Sequence, residues 1–206
     1  MPEINLIDFF TYFKGEPHQK EAVQLLQSAM PDSLLKNKCS WVTKWRETPE
    51  PQSSTVPPQC LDIIAEFEGF RASPYLCPAG VATIGYGCTF YPDGQPVELT
   101  DAPITQPKAK EMLAVMVEKD FWSILKNTIP YWDEMNDNQK SALTSFGFNL
   151  GAHFYGSPGF TTISACLRDH AWDELPDALL LYRNPGSSFE AGLRRRREAE
   201  GKLWLA

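Results

Sequence analysis

The chain has no apolar run approaching the roughly 18 residues that a bilayer-spanning helix requires. Its opening, Met1 to Phe10, has no basic flank leading into an apolar stretch, so no secretory leader is read there. Synthesis into the cytoplasm without stable membrane insertion is expected. Excess positive charge is also missing. Nineteen Lys and Arg stand against 26 Asp and Glu, a net charge of −7, whereas a nucleic-acid partner demands clustered Lys and Arg; no such partner is expected. Histidine is scarce, at three residues, and the five cysteines at positions 39, 60, 77, 88 and 166 fall at no metal-ligand spacing. An odd set of that kind reads as free thiols in a reducing compartment.

What the chain does have is enough to build one ordinary domain and a small appendage. Of 206 residues, 43% are hydrophobic, with twelve Phe, seven Tyr and six Trp. Residues 1–47 read as a small helical module: Ile4, Leu6, Ile7, Phe10 and Phe13 share a face that Gly15 ends, and Pro17 opens a second helix. Phe9, Tyr12, Trp41 and Trp45 either stack on sugar rings or fill its small core, and the stretch Phe13–Lys20 distantly resembles an N-terminal module seen beside wall hydrolases, which makes the unit a candidate for cell-wall binding. Residues 48–59, with four prolines and Val56 as the one large apolar side chain, read as a semi-stiff spacer. Residues 60–206 form the main domain.

Its organising stretch is residues 65–89. Leu61, Ile64, Ala65 and Glu68 recur at helical spacing and Gly69 ends the helix; after Pro74, Tyr, Val, Thr and Ile broken by Gly80, Gly85 and Gly87 read as short strands. Glu68 thus stands at a helix end beside a small sheet that carries Cys77 and Thr83. Glu66, two residues back, falls near the opposite side of the helix as a solvated face residue. The spacing Glu68, eight residues, Cys77, five residues, Thr83, followed by TIGYGCT, resembles the signature of the phage-type lysozymes of glycoside hydrolase family 24. In that family the second position is Asp or Cys, and His is usual where Cys88 stands here.

The remainder of the chain continues the resemblance in order. Asp93-Gly94 marks a hairpin turn, Thr105 a helix cap, and Met112, Leu113, Met116, Val117, Phe121 and Ile124 one long helix to about Lys126. Residues 139–151, with Ala142, Leu143 and Phe146 in helical period, resemble the family's QxALxSFxFNxG helix. Thr161–Leu167 resembles the next family helix, and Trp172–Tyr182 is an amphipathic stretch bent or opened at Pro176. Residues 192–204 resemble the GLxxRRxxE ending; there Arg196 and Glu200, and Arg194 and Glu198, are i, i+4 partners.

The resemblance implies a lysozyme-like α+β fold, with a small β-sheet lobe and a larger helical lobe, and an endolysin muramidase. Its substrate would be the glycan strands of peptidoglycan, cut at the β-1,4 bond between N-acetylmuramic acid and N-acetylglucosamine. Glycoside cleavage needs a proton for the leaving oxygen, and Glu68, which follows Phe67 at the end of an apolar helix and is kept protonated by partial burial among those neighbours, is assigned as the acid. Thr83 positions the attacking water with Cys77 assisting; Cys77 as a weak base, a covalent nucleophile or a placeholder all remain open. No cofactor is called for, since proton transfer and electrostatics suffice. A monomer released from the host cytoplasm through a holin-type pore, acting on the wall in the periplasm, is expected. The alternatives are a lytic transglycosylase and a peptidoglycan-binding protein without turnover.

Overall fold

The computed structural model describes residues 55–206, within a compact unit that spans Ser54–Ala206. The helical module expected over residues 1–47 lies outside the described residues, as does most of the expected spacer. The end of that spacer is folded. Pro57 caps and Pro58 opens the first helix, α1 (Pro58–Glu68), with Pro near N1 where its missing N–H costs nothing, and Val56 is buried.

Cys60, Ile63 and Ile64 form the buried stripe of α1, and Gly69 terminates it at φ 71°, donating its N–H to Ala65 O at 3.2 Å. The chain then enters β1 (Arg71–Leu76), which pairs antiparallel with β2 (Ala82–Gly85) in a two-stranded sheet. β1 begins ahead of Pro74 rather than after it. The register slips between the Arg71–Gly85 and Tyr75–Thr83 pairs, so Pro74 lies in an irregular stretch that asks no ladder bond of it. Gly85 has φ 66°, and a Cβ there would stand 3.0 Å from Ala109 Cβ; the glycine lets the sheet lie on the following helix. Ile84, Cys88, Val97 and Met112 close the small core of this lobe.

That helix, α2 (Gln106–Val117), is capped by Thr105 as expected and continues through a π-turn (Glu118–Trp122) into α3 (Ser123–Thr128). The π-turn corrects the expected register. Phe121 and Ile124, predicted to face the core, are half-buried, while their neighbours Trp122 and Leu125 are buried. Widening one turn moves the inward face on by one residue. Ser123 Oγ donates to Glu118 O at 2.7 Å across the widened turn.

α4 (Asp137–Leu150) is the central helix of the larger lobe, opened by a capping box between Asn136 and Gln139. α1 and the last helix both pack on it. Phe146 is its hub, edge-on to Phe154 at 4.9 Å and Tyr182 at 5.2 Å between centroids. α5 (Thr161–Arg168) follows. A 3-10 turn over Trp172–Glu174 then leads into α6 (Leu175–Leu180), where Pro176 sits at the helix start, so the expected stretch is opened there rather than bent. α7 (Glu190–Leu205) closes the lobe against α4 and α6. The whole is α+β, a small sheet lobe beside a helical lobe.

Asn136→Ala removes the reciprocal cap of α4 and is expected to lower stability by about 1 kcal/mol, a melting midpoint lower by about 2–4 °C. Thermal unfolding followed by circular dichroism measures this; an unchanged midpoint would show that tertiary packing alone holds the end of α4.

Candidate active site

Three helices deliver the first part of the site. Gly69 breaks α1 immediately after Glu68, leaving that side chain at the helix end with 28% exposure. Glu68 Oε1 accepts from Arg196 Nη1 at 2.8 Å. Arg196, on α7, is only 4% exposed and is itself held: Nε reaches Glu200 Oε1 at 3.3 Å and Nη2 donates to Ser145 O at 3.2 Å on α4. The Phe67 ring lies near the Arg195 and Arg196 guanidiniums, at 5.2 and 5.4 Å. Glu68 therefore faces a buried guanidinium, not the apolar burial expected from Phe67 and the helix end.

Beneath this pair the charges are buried. Glu200 and Arg197 are both 0% exposed. Glu200 Oε1 accepts from Ser145 Oγ at 2.7 Å and from Arg197 Nη2 at 2.9 Å, and Arg197 Nε lies 2.8 Å from Oε2. Arg197 also donates to Asn149 Oδ1 at 3.1 Å and sits 4.7 Å from the Phe146 ring centroid. Burial pushes the Glu200 carboxyl up and the Arg197 guanidinium down, and the ionic contact between them opposes both. The i, i+4 pairs Arg196–Glu200 and Arg194–Glu198 both form, the second on the surface.

The sheet delivers the second part. The turn after β1 is closed by Gly80 N–H donating to Cys77 O at 2.8 Å and Cys77 N–H donating to Val81 O at 3.0 Å. Thr83, on β2, donates its hydroxyl to the same Val81 carbonyl at 3.0 Å. Hydrogen bonds from the Val81 and Ala79 backbone are the main causes that pull the Cys77 thiol below its ordinary value. Cys77 is partly exposed, whereas Thr83 is 3% exposed. The structure thus brings Cys77 and Thr83 together and makes the sulfur the solvent-reached member of the pair. Glu68 lies at the other end of β1, and no hydrogen bond or ion pair joins it to either among the described residues. Glu66 is exposed.

Cys88, where the family run usually has His, is 1% exposed in the small core, and burial pushes its thiol up to about 11. Cys60 is likewise buried, pushed up to about 12. The four cysteines among the described residues, Cys60, Cys77, Cys88 and Cys166, are free. No cluster of side chains suited to a metal occurs among the described residues. A separate groove of about 290 Å³, between the 89–94 turn and α2 and lined by Tyr91, Met112, Met116 and Lys119 among others, includes none of the three candidate residues.

Sequence reasoning missed Arg196 as the partner of Glu68, and Ser145 and Asn149 as members of the cluster. The signal was there: Ser141, Ser145 and Asn149 recur at four-residue spacing along the helix whose neighbouring positions are apolar, opposite an arginine-rich helix.

Comparison with known proteins gives a consistent picture. Residues 65–200 match the sequence profile of the family described as Phage lysozyme. The SAR-endolysin of Escherichia phage P1 is 31% identical over 153 residues, covering 70% of this chain and 78% of that protein. The endolysin of Salmonella phage P22 is 34% identical over 143 residues, covering 68% and 90%. Among solved structures, a mutant P22 lysozyme superposes with a TM-score of 0.62 at 27% identity, over 73% of this chain and 98% of that one.

Because the thiolate is the reactive form, a depressed, partly exposed thiol should outrun buried ones. Iodoacetamide applied to the native protein and mapped by peptide mass spectrometry is expected to label Cys77 before Cys60, Cys88 or Cys166. The Cys77 rate should rise with pH through a midpoint below that of an ordinary thiol. Earlier labelling of Cys60 or Cys88 would contradict this arrangement.

Proposed function

The chain belongs to the phage lysozyme family, whose members lyse peptidoglycan, and from that premise we propose that it is a muramidase with Glu68 as its acid. The bond cut is the β-1,4 link from N-acetylmuramic acid to N-acetylglucosamine, with addition of water. The supporting observation is the geometry of Glu68. Arg196 occupies Oε1, and Oε2 has no hydrogen bond among the described residues, so one carboxyl oxygen is anchored and the other is available to carry the proton.

In this reading Oε2–H gives its proton to the bridging oxygen as the C1–O bond breaks, and the developing carboxylate is met by the Arg196 guanidinium. Water attacks the oxocarbenium-like C1, and its proton passes to the Cys77 sulfur before returning to solvent. Thr83 is buried and spends its hydroxyl proton on the Val81 carbonyl, so it serves by fixing the turn that carries the Cys77 thiolate, and Cys77 takes the larger part with the water. That reverses the emphasis drawn from residue spacing alone. The N-terminal module contributes wall affinity, and a monomer reaches the wall through a holin-type pore supplied by another protein.

Glu68→Gln is expected to fold normally and lose about 10²–10⁴-fold in clearing a cell-wall suspension. Cys77→Asp should remain active and Cys77→Ala should fall at least about tenfold; a fully active alanine variant would remove the thiol from the chemistry. Digestion in oxygen-18 water should place one heavy oxygen on each new reducing muramic acid end by mass spectrometry. Unlabelled anhydro ends would instead make the enzyme a transglycosylase.

A further inference from the structure

We infer that Glu200 is a positioning residue for the reaction: through Arg196 it fixes which oxygen of Glu68 is anchored and which faces the glycan. This rests on Glu68 being the acid.

The observations form one path. Among the described residues, Glu68 is hydrogen-bonded to the helical lobe through one side chain, Arg196, at 2.8 Å. A free arginine on a helix end samples many rotamers; this one cannot, because Glu200 Oε1 takes its Nε at 3.3 Å and the Ser145 carbonyl its Nη2 at 3.2 Å, leaving Nη1 directed at Glu68. Glu200 is fixed in turn from two sides, by the Ser145 hydroxyl at 2.7 Å on α4 and by Arg197 on its own helix.

Charge supports the same assignment. Arg196 and Arg197 carry two positive charges and Glu200 one negative one, with a second arriving on Glu68 as it gives up its proton, in a region where three of the four residues are no more than 4% exposed. Without Glu200, two guanidiniums would share one carboxylate, and the direction of Arg196 would be set by mutual repulsion instead of by a fixed acceptor. A carboxylate placed there only to hold α4 to α7 would need no bond to Arg196. Glu200 Oε1 instead joins Ser145, Arg197 and Arg196, and only Arg196 continues to Glu68.

The test is steady-state kinetics on solubilised peptidoglycan chains for Glu200→Gln, Ser145→Ala and Glu68→Gln, with Asn136→Ala as a destabilised control outside the path. Folding is checked by circular dichroism. The expected result is a kcat for folded Glu200→Gln lower by about 10–100-fold with KM within about twofold, since misplacing a reacting group by an ångström has that effect. Ser145→Ala should show a smaller loss of the same kind, and the control an unchanged kcat. A folded Glu200→Gln with wild-type kcat, beside an inactive Glu68→Gln, would overturn the positioning role and leave the acid assignment standing. If Glu200→Gln does not fold, Ser145→Ala decides, and a wild-type kcat there overturns the inference. An active Glu68→Gln would remove the acid assignment and this inference with it.

Discussion

The carboxylate of Glu200, buried between two guanidiniums, is the contact on which the rest of the helical lobe's geometry depends. Removing charges from water costs several kcal/mol per ion, and a buried pair recovers this only when its hydrogen bonds are met. Here they are met in part, by Ser145 and Asn149 from α4 and Arg196 and Arg197 from α7, while Arg197 Nη1 has no hydrogen-bond partner among the described residues and Arg197 Nε meets Glu200 Oε2 only as an ion pair. Arg196 then carries the arrangement to the end of α1, where Glu68 waits. Apolar packing around Phe146 brings these helices together, but it has no direction. The charge cluster supplies the direction.

The sheet lobe solves a different problem with much less material. Two short strands and a turn place a thiol beside backbone amides, and the turn bonds that close on Cys77 and Val81 fix it without a charged partner. Gly85 permits this by letting β2 touch Ala109 of α2, so the small sheet is braced on a long helix instead of standing alone. The two halves of the site thus rest on different physics, an ion-pair cluster on one side and backbone hydrogen bonds on the other.

Much of this could be read from the chain. The helix end at Glu68 and Gly69, the caps at Thr105 and Asn136 and the hairpin turn at Asp93-Gly94 are local signals, and local rules sufficed. Cys77 and Thr83 were joined by their spacing in a hairpin. The π-turn after Val117 escaped because a periodicity of 3.6 has no way to signal one extra residue; only the burial of Trp122 and Leu125 in place of Phe121 and Ile124 exposes it. The Arg196–Glu68 pair, 128 residues apart in the chain, also escaped. Spacing within a helix predicts Arg196–Glu200, but contacts between distant helices depend on how they pack. The apolar surroundings expected for Glu68 failed for that reason: its neighbours in sequence are apolar, and its neighbour in space is a cation.

The central claim is that Glu68, anchored through Oε1, presents its other oxygen to a glycosidic oxygen. A crystal structure of Glu68→Gln with a bound peptidoglycan glycan fragment tests this most directly. The account predicts the residue 68 carboxamide within about 2.6–3.2 Å of a bridging sugar oxygen, with Arg196 still on its inner atom and Cys77 on the far side of the ring. A glycan held elsewhere, or a residue 68 side chain out of reach of every bridging oxygen, would contradict it.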